Sequence, residues 1–306
     1  MPLATTILMV RPAAFGFNEE TAANNYFQTN PGIGKEVLQQ KALAEFDNMV
    51  QLLRNEEVDV LVIDDTKEPP KPDALFPNNW LSTSPNGTVS VFPMYAPNRR
   101  AEKRDDILQQ LARHFVVKDV QDWSEYEAEG RFLEGTGSMV IDHDNKMIYA
   151  AVSERTNLSV LEKYAATNNY QAIVFLATDK NGQPVYHTNV MMALGSAFCV
   201  LCEEAIEEEW ELIAVRQLLE STGHTIIAIT REQMHAFAGN MLEVKNKNGE
   251  NILVLSQSAF NSLRTEQKEM LETYAKLLPV AVPVIEEVEG GSVRCMMAEV
   301  FLEKSS

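Results

Sequence analysis

Five short apolar segments recur along the chain at nearly constant spacing, and each follows a polar or small residue. They are Asn79-Trp80-Leu81, Ser138-Met139-Val140, Val190-Met191-Met192, Asn240-Met241-Leu242 and Cys295-Met296-Met297. Their central residues stand 59, 52, 50 and 55 positions apart. A period of this length marks stacked or radial structural units. The filling of each period is also alike. Hairpin signals follow the apolar segments: Asn86-Gly87 before Thr88–Val91, Asp144-Asn145 before Met147–Tyr149, and Asn248-Gly249 before Ile252–Val254. Helix-period stretches come next, as in Arg104–Leu111 and Glu207–Leu219, and a further strand such as Thr225–Ile229 closes the unit. The order strand, strand, helix, strand predicts an α/β ring of ββαβ units, one helix per unit on the outside. In such a ring the polar residues before the apolar segments converge: Asn79, Glu134, His187, Asn189, Asn240 and Cys295.

The rest of the chain narrows the class of function. Its 306 residues are read as one domain, 1–306, because the proline-rich Lys67–Pro72 is too short to divide it. A formal charge of −18 with no basic stripe argues against nucleic acid as a partner. A carboxylate ligand would have to be held by a few sheltered arginines rather than by the overall field. Three cysteines, an odd number, do not suggest a disulfide framework. The start, Met1 to Ile7, has no basic region or apolar run of a leader, and no stretch approaches the roughly 18 apolar residues of a membrane span. The expectation is a cytoplasmic protein with no membrane partner.

Cys295 stands out among the cysteines. Gly290-Gly291-Ser292-Val293-Arg294-Cys295 is read as a glycine turn that delivers a thiol, beside a guanidinium, to a short buried strand. A thiol there has reason to ionise and act as a nucleophile, although a structural cysteine would also be buried. Other features read as ordinary. Cys199-Val200-Leu201-Cys202 lies in an apolar strand with no further metal ligands. Asp142-His143-Asp144 reads as a hairpin turn, His235 as structural, and Glu203–Glu209 as a solvated helix start.

Phe76-Pro77-Asn78-Asn79-Trp80, Glu134-Gly135-Thr136-Gly137, Arg155-Thr156, His187-Thr188-Asn189 and Gly290–Met296 occur in the order found in the guanidino-group-modifying enzymes, the penteins. The chain resembles this superfamily over essentially its whole length. It includes arginine deiminase, dimethylarginine dimethylaminohydrolase, amidinotransferases and succinylarginine dihydrolase. The resemblance implies a five-bladed α/β propeller with the site on its axis, and a small-molecule amino-acid substrate with no metal and no cofactor. By the same resemblance Cys295 is the nucleophile, His187 the general acid/base and Glu134 the carboxylate that holds substrate N–H groups. Arg155 is implied to bind the substrate α-carboxylate. Arg99 and Arg100, on a loop that closes over the ligand in relatives, form a second choice, and Arg294 either anchors substrate or favours ionisation of Cys295.

Departures from the family pattern bear on the substrate. Arginine-directed members carry two aspartates that clamp a guanidinium, whereas this chain has Asn79 (with Asn78 beside it) and Asn189. Amides suit a neutral ureido group, which offers a C=O acceptor as well as N–H donors. The expectation is a citrulline hydrolase yielding ornithine, ammonia and carbon dioxide. The alternatives are a guanidino-compound hydrolase of the arginine deiminase or succinylarginine dihydrolase type, an amidinotransferase, or a non-catalytic binding module.

Overall fold

A computed structural model describes residues 2–305. Its strands, in chain order, are β1 (Thr6–Arg11), β2 (Asp59–Asp64), β3 (Leu81–Thr83), β4 (Thr88–Val91), β5 (Asp119–Asp122), β6 (Val140–Asp142), β7 (Met147–Ala151) and β8 (Gln171–Phe175). They continue with β9 (Met192–Leu194), β10 (Phe198–Leu201), β11 (Thr225–Ala228), β12 (Leu242–Lys245), β13 (Asn251–Ser256), β14 (Lys276–Val280) and β15 (Ala298–Val300). They form five three-stranded sheets: β3-β4-β5, β6-β7-β8, β9-β10-β11, β12-β13-β14, and β15-β1-β2. In each, the first strand pairs antiparallel with the second and the second parallel with the third. A tight turn suffices for the antiparallel pair, but the parallel pair needs a crossover. Helices supply it, including Lys35–Asn55, Asp105–His114, Leu158–Thr167, Glu209–Ser221 and Thr265–Glu272.

The local sequence explains these elements. Lys35–Asn55 buries Leu38, Ala42, Phe46, Met49, Val50 and Leu53, a stripe at helical spacing that packs on β2. Asn157 caps Leu158–Thr167 by accepting from the backbone N–H groups of Ser159 and Val160. The middle strands β4, β7 and β10 are buried throughout, so they read as continuous runs rather than as alternating ones. By contrast β5, Asp119–Asp122, is a polar outer strand.

The first sheet differs from the predicted unit. Its antiparallel strand β15 comes from the C-terminal segment, while β1, the crossover helix and β2 come from the N-terminal one. The repeat therefore spans the two ends of the sequence, which the spacing of the apolar segments did not reveal. Apolar clusters join neighbouring sheets. One joins β12–β14 to β1 and the Cys295 turn, and a second joins β1 and β15 to β3 and β4. Phe92, just after β4, shares a cluster with Ile148 and Ala150 of β7, and a further cluster unites β7 with β10 and β13.

Candidate active site

The converging polar residues all sit at one structural position, a single helical turn just before the first strand of a sheet. Asn78 and Asn79 lie in the turn Pro77–Asn79 before β3. Glu134 caps the turn Gly135–Ser138 before β6, and His187 caps Thr188–Met191, which contains Asn189, before β9. Asn240 directly follows the turn 236–239 before β12, and Cys295 lies in the turn 293–296 before β15. These short turns aim side chains away from the sheets and toward a common point.

The groups there are close together. His187 Nε2 and Glu134 Oε2 are 2.8 Å apart. Cys295 Sγ receives the amide of Asn240 at 3.3 Å and that of Asn189 at 3.6 Å. Gly137 makes the approach possible. A Cβ at that position would stand 2.5 Å from Asn79 Nδ2 and 2.8 Å from the His187 ring. Cys295, His187, Asn79, Arg99, Arg155 and Asp73 line one small cavity.

Charge inside the site is already arranged in pairs. Arg99, almost wholly buried, donates to Glu102 from Nε at 2.8 Å and from Nη2 at 2.9 Å, and lies 3.2 Å from Asp73. Its Nη1 donates to Asn79 Oδ1 at 2.9 Å. A guanidinium only donates, so this bond fixes the Asn79 amide with Nδ2 on the other side. That Nδ2 has no hydrogen-bond partner among the described residues. Arg155 stands 3.5 Å from Glu134, and donates to Asn24 Oδ1 at 2.9 Å and to the Thr21 carbonyl at 3.0 Å.

The titrating groups follow from these surroundings. Burial would raise the Glu134 carboxyl, but Arg155, the His187 hydrogen bond and Arg99 hold it down to about 2. Burial pushes His187 down to about 4 against the opposing pull of Glu134. Glu134 is thus an anion and His187 neutral near pH 7, so Nε2–H donates to Glu134 and Nδ1 remains the basic nitrogen. Glu102 is pushed up to about 7 by burial, against Arg99. Glu289 is raised well above the ordinary carboxyl range by burial and by Asp73.

Not every residue named from sequence reaches this cavity. Asn78 donates instead to Thr136 Oγ1 at 3.3 Å. Arg100 donates to the Met94 carbonyl and stands 3.6 Å from Glu127, on the outer side of its turn. Arg294 turns away, donating to the Met297 carbonyl and to Glu299 at 2.9 Å each. It faces a second cavity, beyond β3, β9 and β12, that Cys295 does not line. Several neighbours of the site were not read from sequence: Asp73, Glu102, Glu289, Thr21 and Asn24. Asp73 carried a signal, since it stands three residues before the Phe76–Trp80 motif. Thr21 and Asn24 lie in an asparagine-rich strap whose partner, Arg155, is more than a hundred residues away.

A family model described as N,N dimethylarginine dimethylhydrolase, eukaryotic, matches residues 11–302. The chain belongs to this family. It is accordingly an enzyme of the cysteine-nucleophile superfamily to which the dimethylarginine dimethylhydrolases belong. No curated protein sequence matches it. Among solved structures it is similar to apo ArgZ, an arginine dihydrolase from the ornithine-ammonia cycle in cyanobacteria. The TM-score is 0.73 at 16% identity, over 96% of this chain and 40% of that one. A complex of an AgrE mutant with L-arginine gives 0.76 at 15%, over 97% and 40%. This dimethylarginine dimethylhydrolase family member therefore spans about 40% of the length of ArgZ and AgrE. A dimethylarginine dimethylaminohydrolase adduct with S-methyl-L-thiocitrulline gives 0.66 at 16%, over 97% and 100%. All three share its mixed α/β fold of small sheets.

Proposed function

We propose that the chain hydrolyses the terminal C–N bond of a ureido amino acid, with citrulline as substrate, in a ring closed by the five sheets. The continuity of the apolar clusters from sheet to sheet supports the ring. The substrate reading is carried by one observation: the buried, unpartnered N–H of Asn79, held toward the site by Arg99. A ureido oxygen can accept that hydrogen bond, whereas a guanidinium has no acceptor to offer.

Cys295 Sγ attacks the ureido carbon, and its proton passes to His187 Nδ1. The oxygen gains negative charge opposite the Asn79 amide, a donor fixed before the reaction starts. His187 then protonates the terminal nitrogen, which leaves as ammonia, and an S-thiocarbamate joins Cys295 to the substrate carbon. Water, losing a proton to His187, adds to that carbon; the C–S bond breaks and the thiol regains its proton. The released carbamate loses carbon dioxide and leaves ornithine. Glu134 holds the His187 ring and receives substrate N–H groups, while Arg155 accepts the α-carboxylate in place of Asn24 and Thr21. Asn189 completes the amide surroundings of the sulfur.

A second reading is a guanidino substrate, favoured by the family match and by relatives crystallised with arginine. Release of ammonia from citrulline, arginine, agmatine and succinylarginine, and of dimethylamine from dimethylarginine, each measured with its amine product, distinguishes the two. Turnover of citrulline above the rest is expected. Turnover of a guanidino compound with none of citrulline would replace the first reading by the second.

A further inference from the structure

The sequence places a cation, Arg294, next to the nucleophile, yet the Arg294 side chain runs to Met297 and Glu299. What touches the sulfur is amide. Asn240 is 1% exposed and makes three contacts at once. Its Oδ1 accepts from the backbone N–H of Arg294 at 3.0 Å, and its Nδ2 donates to the Asn189 carbonyl at 2.9 Å and to Cys295 Sγ at 3.3 Å. The Arg294 N–H can only donate and the Asn189 carbonyl can only accept, so the amide has one possible orientation. Its N–H is committed to the sulfur as an acceptor.

We propose that Asn240 is a further catalytic residue, whose amide N–H, in place before any substrate enters, stabilises the Cys295 thiolate as its proton passes to His187. A neutral substrate cannot draw out a thiolate by its own charge, so a donor built into the protein takes that part. The idea rests on Cys295 being the nucleophile of the proposed reaction, but its consequence does not require a substrate. A hydrogen bond to an ionised group changes an equilibrium by about 10- to 100-fold. Cys199 and Cys202 make quiet reference thiols: burial raises the first far above its ordinary range and pushes the second up to about 12.

The test is the rate of Cys295 alkylation by iodoacetamide at pH 7.5, read by peptide mass spectrometry in the full-length protein. Asn240→Ala and the isosteric Asn240→Asp are compared with the parent at matched thermal stability. Both variants should alkylate Cys295 at least about 10-fold more slowly, the size of one such hydrogen bond lost. In any substrate assay kcat should fall with little change in KM. Should Asn240→Ala lose its thermal transition, Asn240→Asp carries the comparison, since it keeps the acceptor for the Arg294 N–H. Parent-like alkylation in a folded variant would overturn the proposal. Slow alkylation in a protein that turns over no ureido or guanidino compound would leave Asn240 in place and remove only the proposed reaction.

Discussion

His187 Nε2 and Glu134 Oε2 meet at 2.8 Å in a site where Glu134 is fully buried and His187 2% exposed. The two residues are 53 positions apart and come from consecutive sheets, each at the turn that precedes a first strand. Arg155 and Arg99 keep Glu134 ionised, and burial keeps His187 neutral against the pull of that carboxylate. The pair thus presents a base at Nδ1 without requiring a second carboxylate.

The burial of His187 has a thermal signature. The folded protein holds His187 near 4, whereas the ordinary value is 6.5. Between those values the unfolded chain binds more protons, so this contribution is complete above pH 6.5 and lost as pH falls toward 4. It amounts to on the order of 3 kcal/mol across the window. Glu102, raised to about 7 from 4.5, acts in the opposite sense, its contribution being lost as pH rises through 7. Calorimetry of the parent and of His187→Gln from pH 7 to 4 isolates the histidine. The variant should show a flatter loss of Tm, and parallel curves would contradict the assignment.

Asn79→Asp replaces the unpartnered donor by an anion beside Arg99. For a ureido substrate kcat/KM should drop by roughly 100-fold, as when one donor to a developing oxyanion is removed. Activity toward arginine should rise relative to citrulline. Steady-state ammonia release on both compounds measures the ratio, and an unchanged ratio would show that Asn79 does not face the reacting carbon.

Arg155→Gln removes the charge that would meet the α-carboxylate. KM for citrulline should increase about 10- to 100-fold, the worth of hydrogen bonds to a charged group. A substrate analogue lacking the carboxylate should lose far less. Equal losses on the two compounds would assign Arg155 to holding Glu134 alone.

Gly137→Ala would force a methyl group against the His187 ring and the Asn79 amide. Overpacking of this kind costs about 1–3 kcal/mol. Displacing a reacting group by about 1 Å can reduce the rate 100-fold. Urea unfolding together with kcat checks both, and a fully active alanine variant would show that the His187 ring has room to spare.

Much of this arrangement was legible in the sequence because a repeat writes one local pattern several times. Hairpin turns such as Asn86-Gly87 and the apolar stripes of the crossover helices are local signals. So is the position of each polar residue ahead of an apolar segment. What escaped depends on contacts between distant segments. Neither β15 nor β1 announces the other, since pairing leaves no trace in composition. Arg294 looked like a neighbour of Cys295, but one step along a helical turn swings a side chain to another face, and there it finds Glu299. The strap that carries Thr21 and Asn24 lacks a strong period of its own, so its seat on Arg155 was not visible.

The pairing of β15 with β1 sets the order in which the site can be completed during synthesis. The strand that follows the Cys295 turn has its partner at the other extremity of the sequence. The segments that carry Glu134 and His187 are made before the one that carries Cys295. The Cys295 turn therefore takes its seat only when β15 meets β1, after the chain between them has been made.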